Sequence, residues 1–173
     1  MFLIFTGNGK GKTTSALGQA LRLVGDGKRV LMVQFIKGPW KSGEDELAKL
    51  LAPHFKIMKM GKGFVGILGD TLPLEKHAQA ARDALAYAEK EVNSGVWDAL
   101  ILDEVHNAIA LKLITVEEVD AVRKRIFAKL EHLIFTGREA PERFIAEADI
   151  VTEMREVKHP YAAGISAKKG VEF

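Results

Sequence analysis

With 173 residues, 47% of them hydrophobic, the chain has the length for one domain with a substantial core. Its 25 basic and 23 acidic residues leave a net charge of +2, which gives no bulk attraction to nucleic acid. There is no cysteine, which excludes disulfides, thiolate metal sites and iron–sulfur clusters, and no haem is expected. The apolar start at residues 2–5 is too short for a signal-peptide core, and no stretch approaches the roughly 18 apolar residues of a membrane helix. A soluble, cytoplasmic protein that touches no membrane is expected.

Residues 1–14, Met-Phe-Leu-Ile-Phe-Thr-Gly-Asn-Gly-Lys-Gly-Lys-Thr-Thr, read as a short buried strand, a glycine-rich loop and the start of a helix. That is the layout of a phosphate cradle. Gly7, Gly9 and Gly11 leave no side chains between backbone N–H groups and an anion, Lys12 adds positive charge, and Thr13 in the first helical turn offers a hydroxyl to magnesium. The usual P-loop spacing places its first glycine at position 6, where this chain has Thr6; Gly7 supplies the glycine one residue late, so the loop is shorter than usual. A plain Gly/Lys turn is the alternative.

A helix follows, with Leu17, Ala20, Leu21 and Val24 at helical spacing, closed by Gly25-Asp26-Gly27. Residues 29–35 form the next strand, giving a right-handed parallel crossover. After a loop at 36–43 come a short helix at 44–51 and a strand at 55–60. Residues 61–73 mix glycines with Phe64, Val65, Ile67 and Leu68, as expected either of a surface that meets a ligand or of a loop tucked onto the core. Pro73 suits the first turn of a long helix whose buried face is Leu74, Ala78, Ala81, Leu85, Ala88 and Val92.

The strand at 98–104 is apolar until it ends in Asp103 and Glu104. A carboxylate at such a strand end holds magnesium in P-loop proteins, and a surface acidic pair is the alternative. A helix at 116–130 leads to a strand at 132–138 that delivers Arg138 to the carboxyl edge of the sheet, suited to a phosphate or else simply solvated. A short helix at 141–148, a strand at 150–154 and a tail with Lys158, His159 and Lys168 complete the chain; His159 alone reads as structural. The expected fold is α/β, a single P-loop NTPase-like domain over residues 1–173 with a mostly parallel sheet flanked by helices.

Taken in order, Thr6-Gly-Asn-Gly-Lys-Gly-Lys-Thr-Thr14, Val33-Gln-Phe-Ile-Lys-Gly38, Leu102-Asp-Glu104, Thr136-Gly-Arg138 with Pro141, Ala148-Asp149 and the tail from Lys158-His-Pro-Tyr161 to Gly170-Val-Glu-Phe173 resemble the P-loop class of ATP:corrinoid adenosyltransferases of the cobalamin pathway. The resemblance implies transfer of the 5′-deoxyadenosyl group of ATP to the cobalt of a reduced corrinoid such as cob(I)alamin or cobinamide, with release of tripolyphosphate, in adenosylcobalamin biosynthesis or salvage. Cobalt(I) is then the nucleophile, which agrees with finding no Ser, Cys or His triad. The protein's part is positioning and charge neutralisation on the departing triphosphate.

The resemblance also implies an ATP reversed relative to ordinary P-loop ATPases. Its nucleotide site falls on Gly7, Asn8, Gly9, Lys10, Gly11, Lys12, Thr13 and Thr14, with Lys10 and Lys12 on phosphates, Thr13 and Glu104 on Mg2+, Asp103 supporting the metal and Arg138 near the polyphosphate. Lys12, Glu104 and Arg138 are the expected catalytic set. Phe64 matches an aromatic placed against the lower face of the corrinoid, where it helps exclude the axial base. Two departures bear on corrinoid affinity and range: Gly66 stands where relatives often have tryptophan, and the first strand begins at Phe2, where many relatives carry a preceding extension. A homodimer and a separate electron donor are implied as partners. The competing readings are a P-loop ATPase, in which Glu104 activates water, and a regulatory nucleotide-binding module without turnover.

Overall fold

The computed structural model describes residues 1–67, 69–159, 164 and 168–171. Leu68 and much of the motif-bearing tail, including Pro160, Tyr161 and Phe173, lie outside the described residues. Among the described residues six strands, Phe2–Thr6 (β1), Val30–Gln34 (β2), Phe55–Lys59 (β3), Ala99–Asp103 (β4), His132–Thr136 (β5) and Ile150–Glu153 (β6), make one sheet in the order β3-β2-β4-β5-β1-β6. Every neighbouring pair is parallel, so the carboxyl ends of all six strands share one edge. No helix of the described residues is long and apolar enough to cross a membrane.

The helices are Lys12–Gly25 (α1), Gly43–Leu50 (α2), Leu74–Asn93 (α3), Val105–Ala110 (α4), Val116–Ile126 (α5) and Glu142–Glu147 (α6). Side chains along a strand alternate between faces, and the core divides accordingly. Phe2, Ile4, Leu31, Val33, Leu100, Leu102, Leu133 and Phe135 belong to the layer under α3 and α5. Leu3, Val30, Met32, Ala99, Ile101 and Ile134 belong to the layer under α1. Both faces of the central strands are covered, which is why these strands read as unbroken apolar runs. Emptying one such leucine or isoleucine to alanine costs about 2–5 kcal/mol.

α3 lies against the sheet through alanines, with Ala78, Ala81, Ala84 and Ala88 almost wholly buried beside Leu85 and Val92. Two expected face residues are outside the packing: Leu21 and Leu74 are exposed. On α1 the buried positions are Ala16, Ala20 and Leu23, one step round from Leu21; on α3 the first buried residue is His77, and Pro73 sits at the N-cap instead of inside the first turn. The helix expected over 116–130 ends at Ile126 and tightens into a 3-10 turn, Phe127–Lys129. α4 has no counterpart in the sequence reading; it starts immediately after Glu104, which takes a left-handed conformation, φ 61°.

Candidate active site

The loop between β1 and α1 is built by close approach of backbones. A Cβ on Gly7 would lie 2.5 Å from the carbonyl oxygen of Met154, and one on Gly9 would lie 2.8 Å from that of Arg155. The Gly9 N–H donates to the Met154 carbonyl at 2.7 Å. Two of the three loop glycines are therefore demanded by the segment leaving β6 as well as by any anion. Gly11, φ 122°, turns the chain into α1, whose first turn carries no acidic residue and presents free N–H groups to the carboxyl edge. Asn8, Lys10 and Thr14 are exposed beside it.

Lys12 folds over this loop, its ammonium donating to the carbonyls of Gly7 at 2.7 Å and Gly9 at 2.8 Å. Burial lowers its pKa and the Arg138 charge lowers it further, while Glu104 and Asp103 pull the other way. The four side chains thus act on one another, although they come from three separate stretches of the chain. Thr13 Oγ1 donates to Asp103 Oδ1 at 2.9 Å, a contact that spans ninety residues of sequence.

Strand order explains how that contact is supported. β5 lies between β4 and β1, so Thr136 at its end reaches Asp103 Oδ1 at 2.7 Å with its hydroxyl. Gln34, in register with Asp103 on the other side, donates from Nε2 to Asp103 Oδ2 at 3.0 Å. Both oxygens of Asp103 are occupied by neighbouring side chains, and the residue is fully buried. Its geometry is that of a carboxylate that fixes the Thr13 hydroxyl. Thr136 Oγ1 also accepts the backbone N–H of Glu104 at 2.8 Å, which holds the left-handed turn.

Glu104 is the complementary case. It is half-buried, and its carboxylate has no hydrogen bond among the described residues. Burial and the adjacent Asp103 push its pKa up to about 7, against the pull of Lys37, Lys12 and Arg138. Two close carboxylates, one of them ionised only with difficulty, make a place for a hard cation, and a threonine hydroxyl with carboxylate oxygens suits Mg2+. Among the described residues no three His, Asp or Glu side chains gather as a metal cage.

The loop after β5 is positioned from α4. Asn107 Oδ1 accepts the Arg138 N–H at 2.9 Å, and a Cβ on Gly137, φ 135°, would lie 2.6 Å from that same oxygen. Arg138 itself is exposed. Two residues past Glu104, His106 is fully buried between Phe135 and Phe144, with both ring nitrogens unpartnered among the described residues. Burial pushes its pKa down to about 3, so it is a neutral packing ring.

The sequence alone assigns no role to Lys37, Gln34, Glu44 or Thr136. Lys37 is ion-paired with the nearly buried Glu44, whose Oε1 lies 3.4 Å from Gln34 Nε2, so a chain of polar contacts runs from the loop after β2 to Asp103. A glutamine closing the otherwise apolar β2 was the visible signal. Phe64 lies on the segment after β3, 49% exposed, stacked on Trp40 with ring centroids 6.1 Å apart. Gly66 adds no side chain there, and its N–H donates to Asp70 Oδ2.

A family model for ATP:corrinoid adenosyltransferase BtuR/CobO/CobP matches residues 1–173. The chain belongs to the ATP:corrinoid adenosyltransferase family. It is 37% identical over 174 residues to the corrinoid adenosyltransferase of Escherichia coli (strain K12), covering all of this chain and 85% of that one. Against the Pseudomonas aeruginosa corrinoid adenosyltransferase the identity is 39% over 175 residues, with 83% of that protein covered. Among solved structures the flagellar accessory protein FlaH of Methanocaldococcus jannaschii superposes with a TM-score of 0.58 at 16% identity, over 88% of this chain and 69% of that one. This second likeness is one of fold.

Proposed function

We propose that residues 1–173 act as one catalytic domain that transfers the 5′-deoxyadenosyl group of ATP to the cobalt of a reduced corrinoid, with Lys12, Glu104 and Arg138 around the triphosphate. The lone pair of cobalt(I) attacks the ribose 5′-carbon, the bond from that carbon to the triphosphate oxygen breaks, and intact tripolyphosphate leaves with the electron pair. What supports this reading is the Thr13–Asp103 contact at 2.9 Å, which joins the start of α1 to the end of β4 at the carboxyl edge, in a chain of the adenosyltransferase family.

The backbone N–H groups of residues 8 and 10–14, the Gly9 N–H being taken by the Met154 carbonyl, and the Lys12 ammonium, released from the Gly7 and Gly9 carbonyls, would meet phosphate oxygens, with Lys10 outside them. Mg2+, held by Thr13 and Glu104 with Asp103 in support, would neutralise charge on the leaving group. Arg138, exposed at the edge, adds a further cation for the polyphosphate. The abbreviated loop suits an ATP laid in reverse, with its ribose turned towards the corrinoid. A homodimer, a separate electron donor for the cobalt and a cytoplasmic setting complete the reading.

A hydrolytic reading draws on one observation, the unpaired Glu104 carboxylate with its pKa near 7, a group able to take a proton from water. Supplying ATP with and without chemically reduced corrinoid separates the two. Adenosyl transfer gives a light-sensitive alkylcobalt product and one tripolyphosphate per turnover, only when corrinoid is present; steady orthophosphate from ATP alone would overturn it.

A further inference from the structure

Trp40 is the largest exposed apolar side chain whose position is nonetheless tightly fixed. It is 61% exposed, in contrast to the buried Trp97. Its indole lies across two glycines from two different loops: a Cβ on Gly38 would come within 2.7 Å of the ring, and one on Gly63 within 2.5 Å. Gly63, φ 106°, is held in place by its N–H donating to the Ile36 carbonyl at 3.0 Å. The Trp40 carbonyl accepts the Lys59 ammonium at 2.8 Å, and the same ammonium reaches Ser42 and Asp45. Phe64 then stacks on the indole, with 28° between the ring planes, and is itself half exposed.

An aromatic that only anchored the loop would gain most by burial, since the apolar contribution follows the area removed from water. Here two rings are fixed and left facing solvent at the carboxyl edge, where the nucleotide loop also opens. A relay of polar contacts runs from the Trp40 loop to the end of β4: Lys37, three residues before Trp40, pairs with Glu44, and Gln34 links Glu44 to Asp103. The relay ties the loop that carries Trp40 to Asp103.

We propose that Trp40 is a corrinoid-binding residue, forming with Phe64 a two-ring platform for an apolar face of the flat conjugated macrocycle. The inference rests on the adenosyltransferase reading. The macrocycle is broader than one phenyl ring, and aromatic faces favour offset stacking on a planar conjugated partner. Lys59 and the paired glycines fix the platform before the ligand arrives, so little ordering is left to oppose binding.

The test compares Trp40→Ala, Trp40→Phe, Phe64→Ala and the Trp40→Ala/Phe64→Ala double variant with the unaltered chain, measuring KM for ATP, KM for the corrinoid and the melting temperature. Trp40→Ala is expected to raise the corrinoid KM about tenfold, with the ATP KM within about twofold and the melting temperature preserved. Trp40→Phe should recover most of the loss. In the double variant the corrinoid KM should rise by less than the product of the single effects, because the two rings act on one ligand face. An unchanged corrinoid KM in Trp40→Ala overturns the proposal. So does a lowered melting temperature with both KM values raised together and no rescue by Trp40→Phe, the signature of a loop anchor. Failure of the unaltered chain to form any alkylcobalt product would instead strike the adenosyltransferase reading.

Discussion

The two halves of the carboxyl edge are built on opposite principles. On the nucleotide side, buried side chains in register on adjacent strands, Gln34, Asp103 and Thr136, hand hydrogen bonds to one another and fix Thr13. On the other side, Trp40 and Phe64 stand on glycine-bearing loops, 61% and 49% exposed. Polar partners buried in the sheet fix geometry before any ligand arrives, which suits a triphosphate whose charge must be met at set points. Exposed rings on loops provide area, and a large flat apolar face asks for little more.

Breaking the nucleotide side should have the largest effect. Lys12→Ala removes the ammonium that bridges the Gly7 and Gly9 carbonyls, and Glu104→Ala removes the carboxylate left unpaired beside Asp103. A charged hydrogen bond contributes roughly 1.5–3 kcal/mol, and more when aimed at charge that develops in the transition state, so a loss of about a hundredfold or more in kcat/KM is expected. Near-normal adenosylation by either variant, with the fold intact by circular dichroism, would remove that residue from the site.

The contrast also explains what could be read from the sequence. Strand-long apolar runs alternating with helical patterns announced the parallel α/β sheet, and the run from Gly7 to Thr14 announced the loop, because both are local signals. The supports of Asp103 were not legible: Gln34 is 69 and Thr136 33 residues away, and only the strand order places them on either side of it. Nor was the double duty of Gly7 and Gly9, since Met154 and Arg155 reach them only once β6 lies beside β1. α4 escaped because Glu104 turns left-handed, a conformation that non-glycine residues seldom adopt and that the Thr136 hydroxyl sustains. Trp40 and Phe64, 24 residues apart, look unrelated in the sequence.

A smaller and more selective effect is expected on the loop side. Phe64 is half exposed, so Phe64→Ala should leave the melting temperature and ATP affinity nearly unchanged. Its contact with ligand, roughly 1.5–3 kcal/mol of apolar burial, exists only in the complex. Adenosylation should therefore fall sharply when the corrinoid enters as cobalt(II) and must lose its axial base, and fall less when cobalt(I) is supplied ready-made. Equal losses for both forms together with a marked fall in melting temperature, as from emptying a packed aromatic site, would make Phe64 a core anchor.

The tie between the halves offers the finest test, with the least effect on turnover. Glu44, nearly buried in the first turn of α2, receives the Lys37 ammonium, and its carboxylate also takes backbone and Ser42 hydrogen bonds. Burial works to raise its pKa, but the Lys37 hydrogen bond, the helix-start N–H and the Lys37 charge outweigh it and bring the value down to about 2. The sign follows from proton counting: between the ordinary value of 4.5 and about 2 the unfolded chain binds a proton that the folded chain refuses. The contribution is complete above pH 4.5 and is lost as the pH falls through that window. Glu44→Gln keeps the shape and removes the charge, so the stability difference from the unaltered chain, about 1.5–3 kcal/mol near neutrality, should shrink steadily on acidification. Urea titrations at pH 7 and at successive steps below 4.5 measure it directly. A gap that stays constant across those steps would mean that Glu44 acts by shape alone, and that the loop bearing Trp40 is not held to Asp103 by charge.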